Sequence, residues 1–382
     1  MANIEDYLDW RGDIPFSVDP FNEVDNLILA ELAYSPFYGY VAGPDLKTEV
    51  PISEVCRRFF EDHTDEEIMS SNMSIKVAPF LMRKMVVSTR FKDIRLTGFV
   101  DEYDEKTEMQ FSVTTFLLPD NTYYVAYRGT DDTIVGWKED FNMAFMYQTP
   151  GQMRAVKYLN DNFRKGHKKL RVGGHSKGAN FAVFASAFAD PSVKKKIINV
   201  YSNDGPGFRE AVTNTEEYKS ILPILISTVP EQSVIGMIFD NNIEHQVLKS
   251  TNTGAYQHDA MSWCVKGNHF EYATKLSEQS HFFYDTLQTW LYGLDDGTRK
   301  IFVDNLFEGV LSSGVGSINN ISEYKGAIVK AIGESLTHMS REDQKVCRDV
   351  LKKLAVSGGE TVVNNIKSKY SLPELKTPFG EK

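Results

Sequence analysis

Leu170-Arg171-Val172-Gly173-Gly174-His175-Ser176-Lys177-Gly178-Ala179-Asn180-Phe181 is the stretch on which the reading of the fold turns. It opens as a short apolar run and passes through Gly174-x-Ser176-x-Gly178 into Ala179 to Ala189, an alanine-rich run that reads as a helix. Five residues of this kind recur by chance. They acquire meaning between a strand and a helix, where the serine occupies a strained turn that holds its hydroxyl clear of the sheet. Such a turn needs glycine on both sides, because neighbouring backbone comes too close for a Cβ and unusual φ values are cheap only for glycine. Ser176 is therefore the candidate nucleophile, and the N–H of Lys177, at a helix start, a candidate oxyanion donor. A phosphate-binding loop would need lysine before the hydroxyl residue, whereas Lys177 follows it.

Working outward, β-branched and aromatic runs at Leu96 to Val100, Met109 to Leu118 and Tyr123 to Tyr127 read as a meander of strands separated by turn-rich segments. A helix is expected from about Gly151 to Lys165, with Met153, Val156, Leu159 and Phe163 inward. Beyond the serine, Ile197 to Ser202 and Ile221 to Val229 are apolar runs of the kind buried on both faces of a parallel sheet. Strand and helix alternate, which argues for an α/β architecture with right-handed crossovers.

Upstream, Phe21 to Tyr34 places Val24, Leu27, Ile28 and Leu32 at helical spacing, with Asn22 or Asp25 available as a cap, and Ile52 to Phe60 forms a second short helix. After His269 the chain turns helical, at Phe282 to Tyr292, Asp295 to Leu306, Tyr324 to Leu336 and Ser340 to Ala355, the last with a capping box of Ser340 and Asp343. The expected organisation is a helical segment over 1–94, a core over 95–281 and a helical extension over 282–382.

A net charge of −10, spread along 382 residues with no basic stripe, argues against nucleic acid as a partner. Met1 to Tyr7 lacks the basic-then-apolar pattern of a secretory signal, and no run has the length needed to span a bilayer, so a cytoplasmic location without membrane insertion is expected. Cys56, Cys264 and Cys347 are far apart and odd in number, which fits buried thiols in a reducing compartment rather than a disulfide or zinc site. No metal or cofactor is expected.

Tyr123 to Thr130 ends a strand in a small polar turn, Arg128-Gly129-Thr130, followed by Trp137 and Asp140. This resembles the class 3 lipases, whose strand ends in an arginine-glycine-serine/threonine turn ahead of a tryptophan and an aspartate. The resemblance implies an α/β-hydrolase fold, a mostly parallel central sheet flanked by helices with helical terminal additions, and makes Thr130 the second oxyanion donor. More closely, the chain resembles the bacterial Mbeg1-like family, catalogued as the domain of unknown function DUF2974. That likeness runs through Tyr7 to Asp13, Phe21 to Asn26, Gly174 to Gly178, Asn203 to Phe208 and Gln257-His258-Asp259. It implies a hydrolase-like fold and supplies no substrate.

The chain order of serine, acid and histidine in this fold ranks His258 first among eight histidines as the base; it lies in a Gly-, Asn- and Thr-rich loop, with Trp263 shortly after it. His175, inside the turn, is expected to point away from the serine, and His269 and His281 fit surface or helix positions. Two carboxylates compete to orient His258. Class 3 lipases place an aspartate where this chain has Glu231-Gln232-Ser233, and Asp204, one strand earlier in Asn203-Asp204-Gly205-Pro206-Gly207, is preferred although it also reads as an Asx turn. The resulting expectation is a serine hydrolase acting on a small-molecule or lipid acyl ester. A thioesterase or peptidase would use the same residues, and a binding protein without a working acid would keep the fold.

Overall fold

The computed structural model describes residues 1–71, 73–131, 133–239, 243–312, 333, 336–337 and 339–349. One mixed sheet runs in strand order β1 (Val50–Pro51), β2 (Arg95–Asp104), β3 (Met109–Leu117), β4 (Tyr123–Tyr127), β5 (Leu170–His175), β6 (Ile197–Asn203), β7 (Leu225–Pro230) and β8 (Gln246–Leu248). The pairs from β1 to β4 are antiparallel and those from β4 to β8 parallel. Spatial order follows chain order, so each parallel step needs a crossover, and helices supply those between β4 and β7.

Side-chain alternation divides the core into two layers. Val125, Tyr127, Val172 and Val200 join one cluster, and their neighbours Tyr124, Ala126 and Tyr201 join the other. The helices fall in chain order as α1 (Ile4–Arg11), α2 (Glu23–Leu32), α3 (Ile52–Asp62), α4 (Ile134–Asn142), α5 (Pro150–Phe163), α6 (Lys177–Phe188), α7 (Glu278–Gly293) and α8 (Asp296–Ser312), with shorter turns between them. The second cluster takes α1, α2 and α3, and the first takes α5 and α6.

Helix α2 is sandwiched so closely that every residue from Val24 to Leu32 is buried, Asp25, Asn26 and Glu31 included. Its start is a reciprocal capping box in which Asn22 accepts from the N–H groups of Val24 and Asp25 while Asp25 accepts from the Asn22 N–H. Buried polar groups need partners. Asp25 meets the fully buried Arg90 at 2.5 Å and the Tyr7 hydroxyl at 3.0 Å, and Asn26 donates to Asn203 Oδ1 on β6 at 2.9 Å. The segment before β2 is thereby tied to the middle of the sheet.

Several expectations are corrected. Ile221 to Val229 is not one strand: Pro223 lies in a 3₁₀ turn over Leu222–Ile224, and β7 begins at Leu225, because proline removes a ladder donor. On α5, Val156, Leu159 and Phe163 are buried but Met153 is 44% exposed, since it sits in the first turn away from the contact with β3. Helix α1 and the short strands β1 and β8 have no counterpart in the sequence reading. The expected helix over Tyr324–Leu336 lies almost wholly outside the described residues; 341–349 is helical, with Ser340 Oγ accepting from the Asp343 N–H at 3.1 Å. The three cysteines are buried and unpaired, and no helix among the described residues is long and apolar enough to cross a membrane.

Candidate active site

Sheet register brings the carboxyl ends of β4, β5 and β6 together: Tyr127 pairs with Gly174, Gly174 with Ser202, and His175 with Asn203. Ser176 and Asp204, the residues that follow β5 and β6, and Thr130, three residues beyond the end of β4, therefore meet at one edge, the usual place for a site in a parallel sheet. Ser176 adopts φ 58° and ψ −133° between β5 and α6 and is partly exposed. A side chain is held there in a region that favours glycine. A Cβ on Gly178 would run into the Tyr127 carbonyl oxygen, and one on Gly129 would stand 2.7 Å from His175 O and 3.1 Å from Ser176 Cβ. The flanking glycines let the β4 turn and the serine turn touch.

Backbone strain of this kind costs on the order of 1–3 kcal/mol. Ser176→Gly is accordingly expected to unfold at higher temperature than the wild type even after glycine's extra unfolded-state freedom, about 1 kcal/mol, is subtracted. A calorimetric midpoint at or below that of the wild type would count against strain at this position.

His258 ends a 3₁₀ turn over Gly254–His258, and its Nδ1 lies 2.6 Å from Asp204 Oδ2. Asp204 is fully buried at φ 46°, and its other oxygen accepts from Ser233 Oγ at 2.5 Å and from the Gly236 N–H at 3.1 Å. Burial alone would raise its carboxyl, but the hydrogen bond and charge of His258, with Ser233, outweigh it and hold the group below its ordinary value. Asp204 thus makes tertiary bonds where an Asx turn was the bland expectation. Glu231 is placed elsewhere: its N–H donates to Leu248 O and its carbonyl accepts from the Ser277 N–H, with no bond to His258. The β7 end, where an acid is sought by resemblance, contributes Ser233 to Asp204 instead.

Trp263 Nε1 donates to Gln257 O at 2.8 Å and pins the turn that carries His258. His258 Nε2 and Ser176 Oγ have no hydrogen-bond partner among the described residues, and both side chains line one cavity of about 760 Å³. His175 does not point away: it lines the same cavity and stacks on His258, ring centroids 4.6 Å apart. His269 is exposed in a two-residue strand whose other member, Phe270, is buried, and His281 is exposed on α7.

Lys177 and Thr130 both lie beside the serine turn. The Lys177 N–H is the first of α6 and has no intrahelical acceptor, and Thr130 follows Gly129 at the close approach. The Thr130 hydroxyl donates to Asp140 Oδ2 at 2.5 Å. The Lys177 side chain is buried, its Nζ 3.3 Å from Glu139 Oε2 and 3.3 Å from Gly136 O. Threonine and lysine thus both brace α4 from below. The sequence reading missed the lysine's structural task, because an exposed-looking Lys after the serine gives no sign that a buried Glu139 waits for it.

Burial pushes the Asp140 carboxyl up to about 6, against the opposing charge of Lys177 and the Thr130 hydrogen bond. A folded-state value above the ordinary 3.8 means that the fold favours the protonated form. Its contribution to stability is full below about pH 4 and is lost as the pH rises through about 6. Asp140→Asn removes this titration, so the melting temperature of the variant relative to wild type is expected to be higher at pH 8 than at pH 4. An offset independent of pH would refute the assignment.

Apolar side chains build the remainder of the cavity. Helix α7 presents Phe283, Leu287, Trp290 and Leu291 at i, i+4, i+7 and i+8, forming a roof, and α4 adds Trp137 and Phe141. A polar floor under an apolar roof suits a ligand with one reactive polar group on a hydrocarbon body.

This topology, a mostly parallel sheet flanked by helices with a serine turn after β5 and with Asp204 and His258 after later strands, is that of an α/β-hydrolase fold. The chain belongs to the Mbeg1-like family, whose family model matches residues 85–308. Among solved structures it is similar to Rhizomucor miehei lipase in a propeptide complex, at 14% identity and a TM-score of 0.33, over 47% of this chain and 70% of the lipase. It is also similar to M37 lipase, at 12% identity and a TM-score of 0.35, over 55% of this chain and 68% of that one. No curated protein matches it.

Proposed function

We propose that this protein is a serine hydrolase that cleaves a carboxylic ester with an apolar acyl group, by way of an acyl-enzyme on Ser176. The observation that carries the reading is the 2.6 Å bond from buried Asp204 to His258, which lines the same cavity as Ser176 on its strained turn. With Nδ1–H committed to Asp204, His258 offers Nε2 to take the Ser176 proton, and Asp204 stabilises the imidazolium that results. The carbonyl oxygen of the tetrahedral intermediate accepts from the N–H groups of Lys177 and Thr130. Collapse expels the alkoxide, which takes the proton from His258; water then repeats the sequence on the acyl-enzyme. The cavity volume of about 760 Å³ and its roof on α7 support a long hydrocarbon chain as the acyl group. Three unpaired cysteines support a cytoplasmic setting.

A fluorophosphonate probe tests the reading. The full chain is expected to be labelled, with the adduct on Ser176 by peptide mass spectrometry and no labelling of Ser176→Ala. An unlabelled wild type, or an adduct elsewhere, would support a non-catalytic binding protein. Matched p-nitrophenyl esters, thioesters and anilides then separate esterase from thioesterase and peptidase, with esters of longer acyl chains expected to have the highest kcat/KM.

A further inference from the structure

The cavity that holds Ser176 and His258 adjoins a second one of about 250 Å³, and Ala144, Phe239 and Leu291 line both, so these three side chains form a common wall. Phe239 is the largest of them and is buried, with a backbone φ of 67°. That left-handed region is an outlier for a bulky side chain and persists only where the surroundings over-determine it. They do so here. The Gly207 N–H donates to the Ile238 carbonyl at 2.8 Å. The 3₁₀ turn over Ile235–Met237 is held by the Gly236 N–H bond to Asp204 Oδ1, 3.1 Å, and by its contact with α7. The turn that anchors the carboxylate therefore also fixes where the ring stands.

The two chambers differ in chemistry. On the serine side the wall continues the apolar roof of α7, through Leu287 and Trp290. On the far side Arg209, Gln288 and Arg299 come to the surface of the smaller cavity. Both polar side-chain atoms of Gln288 and Nε of Arg299 are buried without a hydrogen-bond partner. The terminal nitrogens of the arginines are engaged: Arg209 with Phe145 O at 2.7 Å and with Asp296 at 2.8 Å, Arg299 with Leu294 O at 2.8 Å and with Asp296. A hydrocarbon end pushed among these groups would leave them unpaired, whereas a polar end could pair with them.

We infer that Phe239 is the specificity-determining residue of this site: its ring stops the acyl chain, and the substrate is an ester of an unfunctionalised fatty acyl chain of limited length that ends in a methyl group. The inference rests on the reading of Ser176 as the nucleophile and of its cavity as the acyl site. A chain that just reaches the ring buries its methyl end against an apolar face. A longer one has to leave methylenes in water, and a terminal hydroxyl at the ring loses its hydration and gains no partner. Removing the ring joins the chambers and lifts both restrictions.

The test is kcat/KM for p-nitrophenyl esters of increasing acyl length, with the full chain and its Phe239→Ala variant. In the wild type the value is expected to rise with length and then to fall at a limit. In Phe239→Ala the limit moves to longer chains, and the first ester beyond the wild-type limit gains about 10-fold, the worth of about two methylenes taken out of water. At the limiting length an ω-hydroxyl ester is expected to be about 10-fold poorer than its parent in the wild type, and that deficit shrinks in the variant. A wild type with no upper limit, a limit that stays in place in Phe239→Ala, or an ω-hydroxyl deficit equal in both proteins overturns the inference. Should Phe239→Ala not fold, Leu291→Ala opens the same wall and is expected to move the limit in the same direction. Calorimetric titration with free fatty acids of the same lengths reads the wall without any turnover. Affinities that follow this pattern in a protein that cleaves no ester would fault the hydrolase reading alone, and ester cleavage with affinities indifferent to Phe239→Ala would fault the wall alone.

Discussion

Ser176→Ala is expected to lower kcat for ester hydrolysis by about 10⁶-fold, the scale on which loss of an activated serine acts when its partners remain. The oxygen removed is the one that would form the acyl bond, and no other hydroxyl stands at the turn between β5 and α6. The change leaves the backbone where it is, since Cβ is retained and the Ser176 N–H still donates to Asn203 O at 3.0 Å. A circular dichroism spectrum and melting curve like those of the wild type should therefore accompany the loss. Residual turnover within tenfold of wild type would show that ester cleavage here does not pass through Ser176.

Asp204→Asn is expected to cost about 10⁴-fold in kcat, with much less change in KM. The direction follows from what surrounds the carboxyl. Ser233 Oγ–H and the Gly236 N–H both donate to Oδ1, so an amide in this place would turn its oxygen toward them and its NH₂ toward His258. His258 Nδ1 would then accept, its proton would move to Nε2, and the nitrogen facing the serine would no longer be a base. Glu231→Gln, by contrast, is expected to keep kcat near the wild-type value, because its contacts are with β8 and the start of α7. A larger loss in Glu231→Gln than in Asp204→Asn would reverse the assignment of the acid.

Much of the architecture is legible in local pattern. The run from Leu170 to Phe181 shows strand, turn and helix because glycine at 174 and 178 has a steric cause that holds wherever the chain makes this bend. Strands β2 to β6 and helices α2, α5 and α6 also follow from alternation and helical spacing. Contacts between distant segments are harder to read. Asp204 and His258 are 54 residues apart, and nothing in either neighbourhood states which carboxylate the 3₁₀ turn will meet. Helix α2 shows the same limit from the other side: Glu31 reads as part of a solvated face, yet a helix covered on all sides has no such face. The lysine after the serine and Glu139 are a third case, a buried pair whose members each look like surface charges in sequence.

Residues 283 to 291 close the top of the cavity, although Ser176, Asp204 and His258 are all in the chain by residue 258. A ribosome delivers the chain from its amino end, so the hydroxyl, imidazole and carboxylate can assemble while their hydrocarbon ceiling is still inside the exit tunnel. During that interval the nascent protein would hold the Ser176 hydroxyl over an uncovered polar floor open to bulk water, and the apolar lining from α7 would arrive only when that helix docks.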